Sequence, residues 1–369
     1  MHQDRAAVRP NSAKKPGELP SLFLGPANYA GQAYMWGRSL ERAGLVKTAE
    51  NFIIEEENAF GYRFDVAVPA TRFRSDKTWQ AAQFEHLSSF SHVMFEAFRP
   101  LLGDLYRFDP LAEAEALRQA GVQVAMLAHG SEVRITSRHA QDHPDSPFRG
   151  ASPAELVPLE RLARRNAILA RAFPGPLFVS TPDLLEWLPN ATWCPVVVEV
   201  ERWRAEPTDL TKPKPVVVHA PSNAGLKGTE AVRQAVAPLH QAGRIEYREL
   251  TNVPAAEMPR VYQTADIVLD QFALGIYGAA AVEAMAAGRL VISDVSDSVR
   301  RHVAVATGLE LPVYQARPGD LRAALEHFLA EPSVGHELAA LGPRFARQVH
   351  SGQASAEVLS NVFLKRADQ

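Results

Sequence analysis

The run GIYGAAAVEAMAAGRLVI, from Gly275 to Ile292, holds the residues best spaced to do chemistry. Tyr277, Gly278 and Ala279 fall where a helix rich in Ala, Met and Glu would begin. A helix that starts on small residues offers free backbone N–H groups and the positive end of its dipole, which suits a phosphate. Glu283 lies a turn and a half further on. From there a carboxylate could reach the sugar hydroxyls of a nucleotide whose phosphates rest on the helix start. An Ala-rich helix between glycines also serves simply to pack tightly on a sheet, and spacing does not choose between the two. Asp270 and Gln271 close the preceding apolar run, where a side chain could meet a sugar. Lys227 projects from the glycine loop NAGLKG and can neutralise a diphosphate as a point charge; it would equally serve as a solvated surface lysine. Ser222, at the end of the preceding strand PVVVHAPS, and Asn223, which opens the loop, can donate hydrogen bonds. Near the middle of the chain, AHGSEVR places His129, Ser131, Glu132 and Arg134 at or beyond the end of a strand. Glu132 could orient an acceptor or pair with Arg134, and His129 could contact a ligand or bond to a nearby loop.

The elements that must position these residues read as alternating strands and helices. SLFLG (Ser21–Gly25) is an apolar strand, PANYAGQ a loop bearing Gly31 and Gln32, and AYMWGRSLERAG a helix. NFIIEE, FDVAVP, SHVMFEAF and VQVAMLAHGSEVR (Val122–Arg134) read as further strand-like runs, with PLAEAEALRQAG a helix between two of them. Such alternation predicts an α/β chain with a parallel sheet and helices on its faces. DHPDSPFRGASPAELVP (142–158) reads as a long polar loop, followed by a helix over 159–173 that carries Arg161, Arg164, Arg165 and Arg171. Those arginines would touch an anionic lipid or an acceptor phosphate, or form a solvated face. TWCPVVVEVERW reads as an extended linker. After it come the strand PVVVHAPS, a helix capped by Thr229, the strand IEYREL, a short helix, the strands ADIVLDQF and RLVISDV, and finally LELPVY. Open α/β sheets bind ligands at the carboxyl ends of their strands, which is where the candidate residues cluster.

The order Gly-x-x-x-x-Glu-Ala-Met-Ala-x-Gly followed by an apolar strand resembles the donor signature of GT-B glycosyltransferases, especially family four. The resemblance covers most of the chain and is strongest from Pro215 to Val295. It implies two Rossmann-like domains facing across a cleft. The expected division is a disordered tail (1–20), an N-terminal acceptor domain (21–198), a C-terminal nucleotide-sugar domain (199–348) and a returning helix (349–369). It also implies transfer of a sugar from a nucleotide diphosphate sugar to a hydroxyl acceptor, with retention and without a metal. Glu283 would then hold the ribose, and Asn252 and Val253 would bracket the base. Lys227 and the start at Gly278 would carry the diphosphate, and His129 would contact the donor sugar. Gly31 and Gln32 would face donor phosphate or acceptor. The chain departs from the family at Gly275 and Ser222, where a Glu and an Arg are usual; Asp270 and Gln271 would stand in for the missing Glu. Those departures keep open a non-catalytic relative that binds nucleotide sugar or partners an active enzyme. A nucleotide-sugar 2-epimerase lacks its pair of catalytic carboxylates and histidine here. A NAD-dependent dehydrogenase lacks Gly-x-Gly-x-x-Gly after a strand.

Composition fits this reading. In 369 residues, 46% are hydrophobic and 22% charged, enough for two cores. A net charge of −3, spread through both halves, gives no field for nucleic acid. The single cysteine, Cys194, rules out an internal disulfide and fits a reducing cytosol; in its apolar run it reads as a strand residue. No run approaches the ~20 apolar residues of a membrane span, so a cytoplasmic protein is expected, with at most weak contact to the inner membrane face. No His-x-Glu or Cys-x-x-Cys cluster predicts a metal or other cofactor.

Overall fold

A computed structural model describes residues 18–55 and 60–365. Residues 1–17 of the expected tail, Glu56 of NFIIEE and the chain beyond Lys365 lie outside them. Two parallel sheets carry the fold. The first joins β1 (Ser21–Gly25), β2 (Thr48–Ile54), β3 (Val66–Val68), β4 (His92–Glu96), β5 (Gln123–Ala128), β6 (Leu177–Val179) and β7 (Thr192–Trp193), in the order β3-β2-β1-β4-β5-β6-β7. The second joins β8 (Val216–His219), β9 (Glu246–Glu249), β10 (Ile267–Leu269), β11 (Leu290–Ser293) and β12 (Tyr314–Gln315), in the order β12-β11-β10-β8-β9. Central strands such as LFL in β1, VMF in β4 and VVV in β8 are buried, which is why they read as continuous apolar runs.

Strand order reverses between β1 and β4 in the first sheet and between β8 and β10 in the second. At such a point the following loops diverge to opposite faces and leave a crevice beyond the strand ends. The loops that follow β1 and β4, and those that follow β8 and β10, therefore line the two crevices. The helix Ala279–Ala286, entered through Gly278, covers the second sheet, and Ala281, Val282, Ala284 and Met285 are buried beneath it. Its small side chains let the helix Pro332–His350 approach closely: a Cβ on Gly342 would lie 2.8 Å from the carbonyl oxygen of Met285. The chain then continues through Gln353–Leu359, where Ala356, Leu359 and, just beyond, Phe363 pack with Leu22, Trp36 and Phe178 on the first sheet.

Several local expectations are corrected. The polar loop expected over 142–158 is instead partly helical. The helix Pro153–Ala172 begins with a capping box, Ser152 accepting from Glu155 N–H while the Glu155 side chain accepts from Ser152 N–H, and it runs through Pro158. TWCPVVVEVERW is not all linker: Thr192–Trp193 forms β7 and Val200–Trp203 one helical turn. Thr229 does not cap its helix. Gly228, with φ of +70°, takes the cap position, and Thr229 is buried with its hydroxyl 2.9 Å from His219 Nε2. NAGLKG is a helical turn, Ala224–Lys227, capped by Asn223. No helix among the described residues is long and apolar enough to cross a membrane.

Candidate functional site

At the reversal of the second sheet, Lys227 and Gly278 converge on one carboxylate. Lys227 Nζ donates to Asp270 Oδ1 at 2.5 Å and Gly278 N–H donates to Asp270 Oδ2 at 3.1 Å. The Asp270 side chain is 1% exposed and that of Lys227 15%. A Cβ on Gly278 would lie 3.6 Å from the lysine nitrogen, so the ammonium sits directly over the helix start. Backbone donor, helix dipole and cation thus meet at a single point, an arrangement made for an anion. Asp270 fills that role in the protein alone. Both oxygens of Asp270, the residue expected to meet the donor sugar, hold the groups expected to bind phosphate.

Other expected donor residues distribute unevenly. Ser222 and Asn223 are exposed beside Lys227, and Asn223 Oδ1 accepts from Leu226 N–H at 3.0 Å. Ala279 is half-buried at the helix start. Asn252 is exposed with φ of +56°, and Val253 is half-buried, both in the loop after β9. Gln271 does not face the cleft; it is buried, with Oε1 accepting from Ala273 N–H at 3.0 Å. Tyr277 is likewise turned inward, its hydroxyl 3.4 Å from His350 Nε2, so only its backbone belongs to the helix start. Gly275, where the resembled family has a Glu, has φ of +70° and faces His143 across the cleft; a Cβ on Gly275 would lie 3.6 Å from the imidazole. A side chain there would be strained, which is a local reason for glycine.

Glu283 opens into a cavity of about 180 Å³ between the two sheets, which Gly31, Gln32, Tyr62, Arg63 and Arg202 also line. Burial, reinforced by the negative charge of Asp270 and offset by Lys227 and Arg202, pushes its pKa up to about 8. Burial and the nearby Glu283 raise Tyr62 to about 12. Glu283 is therefore mainly protonated at neutral pH and can both donate and accept. Gln32, expected on the acceptor side, also acts as a clamp: Oε1 accepts from Val197 N–H at 2.6 Å and Nε2 donates to Val197 O at 3.1 Å. It ties the loop after β1 to the connection between the sheets. Gly31, φ +72°, lies against Tyr62.

His129 stands at the first reversal point. Its Nε2 lies 2.8 Å from Glu96 Oε1, and its ring stacks on Trp36 with centroids 5.8 Å apart. Glu96 is fully buried and its Oε2 accepts from Ala27 and Asn28 N–H at 3.1 and 2.9 Å. Glu96 thus knits the loop after β1 to β4 and to His129. No acceptor-side pair forms from Glu132 and Arg134. Glu132 Oε1 accepts from His129 N–H at 2.5 Å, while Arg134, 2% exposed, pairs with Asp183 at 2.5 Å. Both are held inside the N-terminal half because a buried charge needs a partner.

Sequence reasoning missed Glu96, Tyr62 and Arg202. An acidic residue inside the apolar run SHVMFEAF was a usable signal for Glu96, whereas nothing local marks the other two. Cys194 is buried, and burial raises its thiol pKa. Among the described residues no three His, Cys, Asp or Glu side chains gather as a metal-binding group.

No protein-family description matches the chain, and neither does any curated protein. Solved structures do. Sucrose-phosphate synthase from Thermosynechococcus elongatus superposes with a TM-score of 0.61 at 13% identity, covering 93% of this chain and 98% of that one. The catalytic domain of starch synthase IV from Arabidopsis thaliana, bound to ADP and acarbose, gives 0.58 at 11%, covering 94% and 98%. HepE from Anabaena, in complex with UDP-glucose, gives 0.57 at 13%, covering 92% and 99%. With the two parallel sheets and their facing crevices, these likenesses establish the GT-B fold.

Proposed function

We propose that this protein transfers a glycosyl group from a nucleotide diphosphate sugar to a hydroxyl acceptor, in the manner of family-four glycosyltransferases. The observation that carries the proposal is the convergence of Lys227 Nζ and Gly278 N–H on one carboxylate at the strand-order reversal. In the donor complex the diphosphate takes the place facing these donors, and Asp270 positions the lysine behind it. Glu283, across the cavity, hydrogen-bonds the ribose, and the loop at Asn252 and Val253 brackets the base. Charge grows on the leaving oxygen as the glycosidic bond breaks. Lys227 and the helix start stabilise that charge. His129, held by Glu96, is the side chain proposed to contact the donor sugar. Retention of configuration and independence from metal belong to this reading. UDP-glucose in HepE supports a nucleotide sugar as the ligand class.

A second reading has its own observation. Ser222 adds no positive charge, and Asp270 already neutralises Lys227, as suits a relative that only binds nucleotide sugar. Incubation with UDP- and GDP-sugars, with and without cell extract as acceptor, separates the two. Transfer predicts release of nucleoside diphosphate that depends on extract. Binding of nucleotide without any release would establish the second reading in its place.

A further inference from the structure

A cavity of about 490 Å³ opens where β2 and β4 end, on the same edge of the first sheet as Glu96. Four arginines line it, Arg74, Arg99, Arg107 and Arg165, against an apolar wall that includes Phe73 and Phe108. No Asp or Glu contributes to its described lining. Arg74, Arg107 and Arg165 form no ion pair with another described residue, unlike Arg164, Arg233 and Arg317. Like charges converging on one cavity repel one another, and an anion relieves that repulsion.

The loop that supplies two of these arginines is held in a costly shape. Ala97, Phe98, Arg107 and Phe108 all have φ between 53° and 58°. Non-glycine residues in this region are strained, and such strain collects at ligand clamps. The buried carboxyl group of Glu113 holds the loop by accepting from Leu101 N–H at 2.6 Å and Leu102 N–H at 3.2 Å. Gly103, φ +59°, lets the loop lie against the helix Ala70–Ser75; a Cβ there would come within 1.9 Å of Phe73 O. Arg74 and Arg107 are thereby fixed on two elements locked together. Planar guanidinium groups bind phosphate oxygens in pairs.

We propose that this cavity binds a phosphate group of the acceptor, so that the hydroxyl to be glycosylated belongs to a phosphorylated molecule. This rests on the glycosyl-transfer reading above and names the acceptor class for it. The apolar wall and the volume suit the body of a small molecule or a lipid head group. The arginines converge into a cavity and form no stripe, and the chain carries a net charge of −3, which disfavours nucleic acid.

The test uses the full chain and the variant Arg74→Gln/Arg107→Gln, both positions being exposed. Glucose 6-phosphate and glucose are titrated by calorimetry. Sedimentation with phosphatidylcholine vesicles, with and without phosphatidic acid, covers the lipid source. UDP is titrated into the same samples. The expected result is binding of glucose 6-phosphate, or of the phosphatidic acid vesicles, that falls at least tenfold in the variant while UDP affinity is unchanged. Glucose and plain vesicles should show no such difference. Equal phosphate binding by both proteins, or none in either arm, overturns the arginine site, and UDP binding in those samples leaves the donor reading standing. Phosphate binding lost in the variant, with UDP failing to bind, overturns the donor reading while the arginine cavity stands as a phosphate site.

Discussion

Lys227 faces two anions in turn, Asp270 in the protein alone and, as proposed, the donor diphosphate. Its contribution should grow as charge develops on the leaving oxygen, so it should act on the transition state more than on the ground state. Lys227→Ala is expected to lower kcat by roughly 10²–10³, with a smaller effect on donor KM, in steady-state assays. Near-normal kcat would show that another cation holds the leaving group. Glu283 makes a sharper case because its pKa lies near 8. A protonated carboxyl and a carboxamide have similar donor and acceptor capacity. Glu283→Gln should therefore bind nucleotide at pH 7 within about threefold of the parent, and Glu283→Ala about tenfold more weakly, as loss of one hydrogen bond implies. Equal affinity in both variants would leave Glu283 a structural role only. Gly278, Lys227 and Glu283 were legible because each sits in a local pattern of glycine, helix start and strand. Glu96 was marked only as an acidic residue inside an apolar run, and Tyr62 and Arg202 were not marked at all, because the groups they meet come from segments far along the chain.

At the level of elements, the strands were legible because buried parallel strands are continuous apolar runs. The start of the helix Pro153–Ala172 was not, because Pro158 looks like a boundary, although Ser152-x-x-Glu155 spells a capping box. Ser152→Ala should destabilise the protein by about 1 kcal/mol, read as a fall in denaturation midpoint; an unchanged midpoint would mean the cap is energetically idle. The buried Glu113 ties the loop after β4 to the helix Pro110–Gln119. Burial raises its pKa from 4.5 to about 8, against the lowering effect of the two backbone N–H groups. The folded carboxyl then holds its proton more tightly than the unfolded one. Its stabilising contribution is complete below about pH 4.5 and is lost as pH rises through about 8. Glu113→Gln should flatten the fall in Tm between about pH 5.5 and 8.5, leaving the part that Glu283, shifted in the same direction, contributes. A variant with the full slope would place the titration elsewhere.

Across the whole molecule, the last segment packs against the sheet formed by the first half of the chain. Phe363 lies edge-on to His92 at 4.9 Å between centroids and is 4% exposed. Phe363→Ala should cost about 3 kcal/mol in chemical denaturation, since it leaves a cavity that the neighbouring core cannot fill. A loss of a few tenths would show the segment to be a dispensable appendage. The two facing crevices were foreseeable from the alternation of strands and helices and from resemblance. What sequence could not supply was the pairing of candidate residues with internal partners: Asp270 on Lys227, Gln32 on Val197 and Arg134 on Asp183. Each of these pairs a residue with one distant in sequence, and each changes which side chains remain free for a ligand. The cradle at the second crevice is the centre of the account, and nucleotide binding tests it most directly. UDP, GDP and ADP are titrated by calorimetry into the parent protein and into Lys227→Ala. At least one of them should bind the parent and bind the variant at least tenfold more weakly; equal affinity in the two proteins, or no binding of any of the three, would show that the cradle holds no nucleotide.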